Sequence, residues 1–130
     1  MNSIENNFIS YQIAVDMKSI GFDERCFAYY LSSLGIYLEI TSDFIDLSDY
    51  DSSNCIAPTF SQCFRWFREK GLNYIITPYY SDTTDTVKYE LMVYDIGGSS
   101  PMSKPIMFKT YEEAELECLV KLIEICRELK

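Results

Sequence analysis

The side chains with chemistry to offer in this 130-residue chain are five cysteines, eleven tyrosines and twenty carboxylates; there is no histidine. That absence removes imidazole general bases, Ser-His and Cys-His nucleophile pairs, and every metal site built on histidine. The thiols do not fill the gap. Cys26, Cys55, Cys63, Cys118 and Cys126 are scattered, with no CxxC pair, whereas a thiolate zinc site needs four cysteines, normally in paired spacings. Cys118 and Cys126 stand about two helical turns apart, too far to chelate one ion. In a reducing compartment an odd, dispersed set of this kind is expected to act as small buried hydrophobes.

The carboxylates offer no better start. Asp43, Asp46, Asp49 and Asp51 in DFIDLSDYDSSN miss the ligand spacing of a calcium-binding loop, and the central glycine of such a loop is missing. Glu112, Glu113, Glu115 and Glu117 crowd the start of an expected helix, where capping and the helix dipole account for them. Asp95 and Glu90 have no partner that spacing identifies. GGSSPMSK lacks the glycine and lysine spacing of a phosphate-binding loop. No catalytic residue, metal or cofactor is expected, and the chain reads as a non-enzyme.

The tyrosines belong to another kind of chemistry, that of contact. Eleven Tyr and eight Phe are a surplus of half-polar and apolar rings, the composition of a tyrosine-rich sheet face or an interface. Tyr79, Tyr80, Tyr89 and Tyr94 lie in two strand-like runs and could in principle stack bases. They lack surrounding Lys or Arg, which supply most of the affinity for nucleic acid. The formal charge is −9, a sign that repels phosphate backbones and anionic membranes. It is uneven: residues 1–57 carry nine acids against two bases, and residues 58–130 eleven against nine.

The basic residues that remain gather in APTFSQCFRWFREKG, residues 57–71, around the only tryptophan. Phe60, Cys63, Phe64 and Phe67 follow the spacing of a core stripe, so Arg65, Arg68 and Glu69 point outward. Trp66 falls on the flank, half-covering the core edge with its N–H toward solvent or a carbonyl. The candidate interface is therefore Trp66, Arg65 and Arg68 on this helix, with Tyr79, Tyr80 and Tyr94 on the sheet. A protein partner is the first expectation. A nucleic-acid module using Arg65, Arg68 and Lys70 is the alternative, and nucleic acid is not expected at this net charge.

These residues must be positioned by local elements, and most of the elements have capped ends. SYQIAVDMKSIGF predicts a helix with Ser10 as N-cap, Gly21 as stop, and Ile13, Met17 and Ile20 on one face. CFAYYLSSLGIYLEIT reads as two short strands around residues 32–35, or as the start of a second helix. A loop spans 41–57, densest in Asp and Ser over 41–54. Thr59 and Gln62 form a capping box for the basic helix, and Gly71 ends it. LNYIITPYY and KYELMVYDI make a hairpin through SDTTDT, with Tyr89, Leu91 and Val93 on one face and Lys88, Glu90, Met92 and Tyr94 on the other. GGSSPMSKP is a connector and PIMFK an edge strand. The last helix begins at a second capping box, Thr110 with Glu113. It carries Ala114, Cys118, Leu122, Ile125 and Leu129 as an apolar stripe flanked by Leu119 and Cys126.

The fold class that follows is α+β: one domain, residues 1–130, with a small antiparallel sheet of two to four strands packed against two or three helices. Residues 1–57 form its acidic half, with a helix and the 41–57 loop; residues 58–130 form a helix-strand-strand-strand-helix core. Double-stranded RNA-binding domains share that order, though topology does not carry function. No apolar run reaches ~20 residues, and MNSIENNFIS lacks the basic start and apolar stretch of a signal peptide. A cytoplasmic protein without membrane contact is expected.

Three patches point to a context. GFDERCFAYY at 21–30, PTFSQCFRWFREKG at 58–71 and FKTYEEAELECLVKLI at 108–123 resemble a group of short uncharacterised proteins of phages and mobile elements of gut-dwelling anaerobic bacteria. The resemblance covers about a third of the chain and includes no catalytic signature. It implies a small accessory protein made in a bacterial host. The missing catalytic chemistry, the tyrosine surplus and the acidic N-terminal half add the expectation of protein–protein binding, on a host or phage protein, with a homodimer as one form.

Overall fold

A computed structural model of the chain describes residues 5–31, 36–45, 55–94 and 106–128. They form an α+β fold of three α-helices and two three-stranded sheets, with every strand pair antiparallel. The chain divides into two compact units, Met1–Phe64 and Arg65–Lys130.

In the first unit, α1 (Tyr11–Ser19) starts where the Ser10 hydroxyl accepts the Ile13 N–H at 3.4 Å. It stops at Gly21, φ 101°. Gly21 N–H bonds the Lys18 carbonyl and Phe22 N–H reaches back to Met17, a Schellman closure that needs a residue without Cβ at its left-handed position. Ile13, Met17 and Ile20 are buried, as their spacing predicts. β1 (Cys26–Leu31) lies between β2 (Tyr37–Ile45) and β3 (Cys55–Ile56). The strand reading is thus the one the chain adopts over 26–31 and 37–40, with 32–35 outside the described residues. Aromatic CFAYYL suits a pleated surface with neighbours on both edges.

The 41–57 loop needs correction. Thr41–Ile45 extend β2 and Cys55–Ile56 form β3, while residues 46–54, with Asp46, Asp49 and Asp51, lie outside the described residues. The extension is irregular: from the Ala28↔Ile40 pair to Cys26↔Ile45, β1 moves two residues while β2 moves five. Inside this bulge the Thr41 hydroxyl donates to the Phe27 carbonyl at 2.9 Å, giving that carbonyl a partner where the ladder shifts register. Tyr30 joins sheet to helix entry. Its hydroxyl donates to the Ile9 carbonyl at 2.6 Å, and its ring meets Tyr11 edge to face.

α2 (Phe60–Glu69) opens with both arms of the expected capping box. Thr59 N–H donates to Gln62 Oε1 and Gln62 N–H to Thr59 Oγ1, each at 3.1 Å. Gln62 Nε2 also donates to the Arg25 carbonyl at 2.9 Å. The far end closes as α1 does, with Gly71 at φ 89° and Leu72 N–H on the Phe67 carbonyl.

In the second unit, β4 (Asn73–Ser81) and β5 (Thr86–Tyr94) pair without a break from Asn73↔Tyr94 to Ser81↔Thr86. β6 (Ile106–Phe108) adds to the other edge of β5, and α3 (Tyr111–Glu128) packs on all three strands. The expected helix-strand-strand-strand-helix order is present. Thr110 caps α3 by accepting the Glu113 N–H, and its hydroxyl donates to the Glu113 carboxylate. The buried face differs from the expected stripe. Ala114, Cys118, Leu122 and Cys126 form one buried row, and Leu119 with Ile123 the second. Ile125 lies on the opposite flank and is half-buried; Leu129 is outside the described residues, as is the GGSSPMSKP connector. Among the described residues no helix is long and apolar enough to cross a membrane.

Candidate interaction surface

Directly paired residues of an antiparallel ladder point to the same face. The Tyr89 ring meets Tyr111 of α3 edge to face, with centroids 5.9 Å apart, so Tyr89, Leu91 and Val93 are on the face that α3 covers. Leu91 and Val93 are fully buried there. Their partners Pro78, Ile76 and Tyr74 share that face, and so does the pair Tyr80↔Val87, one step nearer the hairpin turn. Lys88, Glu90, Met92 and Tyr94 point to the other face, beside Ile75 and Tyr79 of β4 and Met107 of β6.

The six interface candidates separate accordingly. Tyr79 and Tyr80 are neighbours in sequence but lie on opposite faces, both exposed; Tyr80 is 61 % accessible. Its hydroxyl donates to the Asp85 carboxylate, and that bond holds the phenol pKa above its usual value. Asp85 is in turn held at φ 52°, a left-handed conformation that aspartate tolerates in a tight turn. Tyr94 shares the open face with Tyr79 but pairs with Asn73 at the other end of β5, about 20 Å away at strand rise. It is half-buried, its hydroxyl on Met92 Sδ at 3.8 Å. Arg65 and Arg68 are exposed on the back of α2.

Trp66 is the correction. It is 7 % exposed, not half-open at a core edge. Phe67 meets it edge to face at 5.2 Å, and Lys70 Nζ lies 4.3 Å from the ring centroid. The apolar face of α2 is wider than the i, i+3, i+4 stripe and takes in the flank. Trp66 offers no ring face to a partner, since Lys70, itself exposed, lies over the indole.

Two exposed side chains that the sequence reading left out complete the picture. Val87 and Tyr111 are both accessible. Val87 pairs with Tyr80 next to the hairpin turn, and Tyr111, at the start of α3, meets Tyr89 two residues further along β5. Each exposed ring has its own carboxylates: Asp85 holds Tyr80, while burial, then Glu115, Cys118 and Glu112, push up the Tyr111 phenol. Alternation alone carried the signal for Val87. Nothing in the sequence marked Tyr111 beyond its place at the helix start.

The thiols are all free and all buried. Burial, with smaller contributions from Glu24 and Cys55, raises Cys26 to about 12. Burial likewise holds Cys55, Cys63 and Cys118 above the ordinary thiol value. Thiols so shifted carry almost no thiolate at neutral pH, and the thiolate is the nucleophile. Among the described residues no group of three or more Cys, Asp or Glu is placed to hold a metal ion, and no polar or charged side chain is buried. A small cavity in the first unit, lined by Lys18, Phe22, Asp23, Glu24 and Cys55 among others, has a volume of about 10 Å³, room for one water. Compared with protein-family models, with curated proteins and with solved structures, the chain has no match.

Proposed function

We propose that this chain is a non-enzymatic accessory protein that binds another protein through the patch at the hairpin end of the second unit. The observation that carries the reading is Tyr80: a ring 61 % accessible, its hydroxyl fixed by Asp85, paired with exposed Val87 across the hairpin. Rigid, amphipathic rings with pre-oriented hydroxyls supply contact area at low entropic cost. The carboxylates around them suit a partner surface carrying Lys or Arg. Scattered buried thiols with raised pKa values favour binding over catalysis.

The resemblance to proteins of phages and mobile elements puts the encounter in the cytoplasm of a bacterial host, with a host or phage protein as the partner. The nucleic-acid alternative loses its aromatic member, since Trp66 is buried with Lys70 over its ring. A photo-crosslinking residue placed at Tyr80 tests the proposal in host lysate. A discrete adduct is expected at Tyr80 that is absent from the exposed α3 position Glu124. Equal, diffuse labelling at both sites would sink the reading.

A further inference from the structure

The other face of the same sheet differs in charge from the rest of the molecule. Register places Asn73, Ile75, Thr77, Tyr79 and Ser81 there from β4, Thr86 through Tyr94 in alternation from β5, and Met107 from β6. Among the described residues of these strands its only charges are Lys88 and Glu90, one of each sign, in a chain of net −9. Ile75 is 50 % and Met107 46 % accessible, and Tyr79 is exposed beside them. α3 packs against the opposite face.

The geometry points to a second copy of this chain as the occupant, docked face to face about a two-fold axis. Lys88 and Glu90 are two residues apart on β5 and so on one face. When β5 crosses its two-fold mate antiparallel, each Lys88 can lie against the Glu90 of the partner subunit, twice per dimer. The face is thus complementary to itself in charge, which an isologous contact requires. Two nine-residue strands with the three-residue β6 beside them give a footprint of roughly 350 Å² per copy, about 700 Å² in all and below the ~1,200 Å² of standard interfaces. An area of this size makes the dimer a weak, transient one. It leaves Tyr80, Val87 and Tyr111, on the opposite face, free for the partner proposed above.

Sedimentation velocity on the full chain tests this at concentrations up to on the order of 100 µM. A monomer–dimer equilibrium is expected. It strengthens as salt rises from about 20 to 300 mM, because two −9 bodies repel and salt screens them. Ile75→Glu is expected to weaken the dimer by roughly a hundredfold, since it buries an unpaired charge. Lys88→Glu weakens it as well, and Lys88→Glu with Glu90→Lys restores it; Val87→Glu, on the opposite face, leaves it unchanged. Circular dichroism and Trp66 fluorescence check that each variant is folded, and Lys88→Glu, at an exposed position, keeps the test open if Ile75→Glu is not. A monomer under all conditions, a dimer indifferent to both substitutions, or one that weakens with salt would overturn the inference. A monomer that still gives the Tyr80 adduct overturns self-association alone; a dimer with no adduct overturns only the partner reading.

Discussion

Lys70 holds its ammonium 4.3 Å from the centroid of the Trp66 ring, and the ring is buried against Phe67. The pair turns what looks in sequence like a basic, aromatic nucleic-acid motif into part of a helix's packing. Cation–π contact of this kind contributes about 0.5–1 kcal/mol at an exposed site, and the indole's burial several times more.

Trp66→Ala should therefore cost about 3–5 kcal/mol, read as a lower urea midpoint with unchanged slope. Lys70→Ala should cost no more than about 1 kcal/mol. The single tryptophan should emit at short wavelength and resist acrylamide quenching in the native state. Emission at the wavelength of free indole would contradict its burial.

Gly21 and Gly71 close α1 and α2 at φ 101° and 89°, where a Cβ meets the following carbonyl. Replacing either by alanine should destabilise by about 1–2 kcal/mol. Asparagine, which tolerates left-handed backbone, should recover part of the loss. Equal stability of all three variants in urea titrations would show that these closures are not strained by a side chain.

The helices were legible because their signals are local. Ser10, the Thr59–Gln62 pair, Gly71 and Thr110 each act within one turn of the backbone they cap, so a short window contains cause and effect. The first sheet is different. Cys26–Leu31 becomes a strand because Tyr37–Ile45 and Cys55–Ile56 pair along its two edges, and the two-residue β3 has no pattern of its own to detect. The two faces of β5 were readable from alternation, though not which of them α3 covers. The burial of Trp66 and the exposure of Tyr80 were not. The first depends on how far packing spreads around α2, the second on where α3 begins relative to the hairpin turn, and both are tertiary facts.

The buried thiols make stability fall at high pH. A thiol whose folded pKa is raised stays protonated in the native state while the unfolded chain ionises. The folded state then binds more protons, and stability declines as pH rises. For Cys26 the loss begins near 9.0 and runs to about 12; Tyr74 and Tyr111, raised mainly by burial, act in the same direction. Urea midpoints should be flat in this respect below pH 9.0 and fall above it. Cys26→Ala should make the alkaline decline shallower. Ellman's reagent at neutral pH should find the buried thiols unreactive until the chain is unfolded, whereas fast labelling of the native protein would place a thiol at the surface.

Arg65 and Arg68 give the nucleic-acid alternative its last test. Both are exposed on α2, but they belong to a chain of net charge −9 without the aromatic face of Trp66. Two phosphate contacts alone change log K with log salt by a slope of only about −1.8, too few to hold a nucleic acid against that field. Fluorescence anisotropy with labelled single- and double-stranded DNA and RNA at about 20 mM salt should show no binding. The Arg65→Glu, Arg68→Glu double variant should leave the Tyr80 adduct intact. Binding that weakens with salt and disappears in the double variant would move the chain's function from protein to nucleic acid and make α2, not the hairpin end, its working surface.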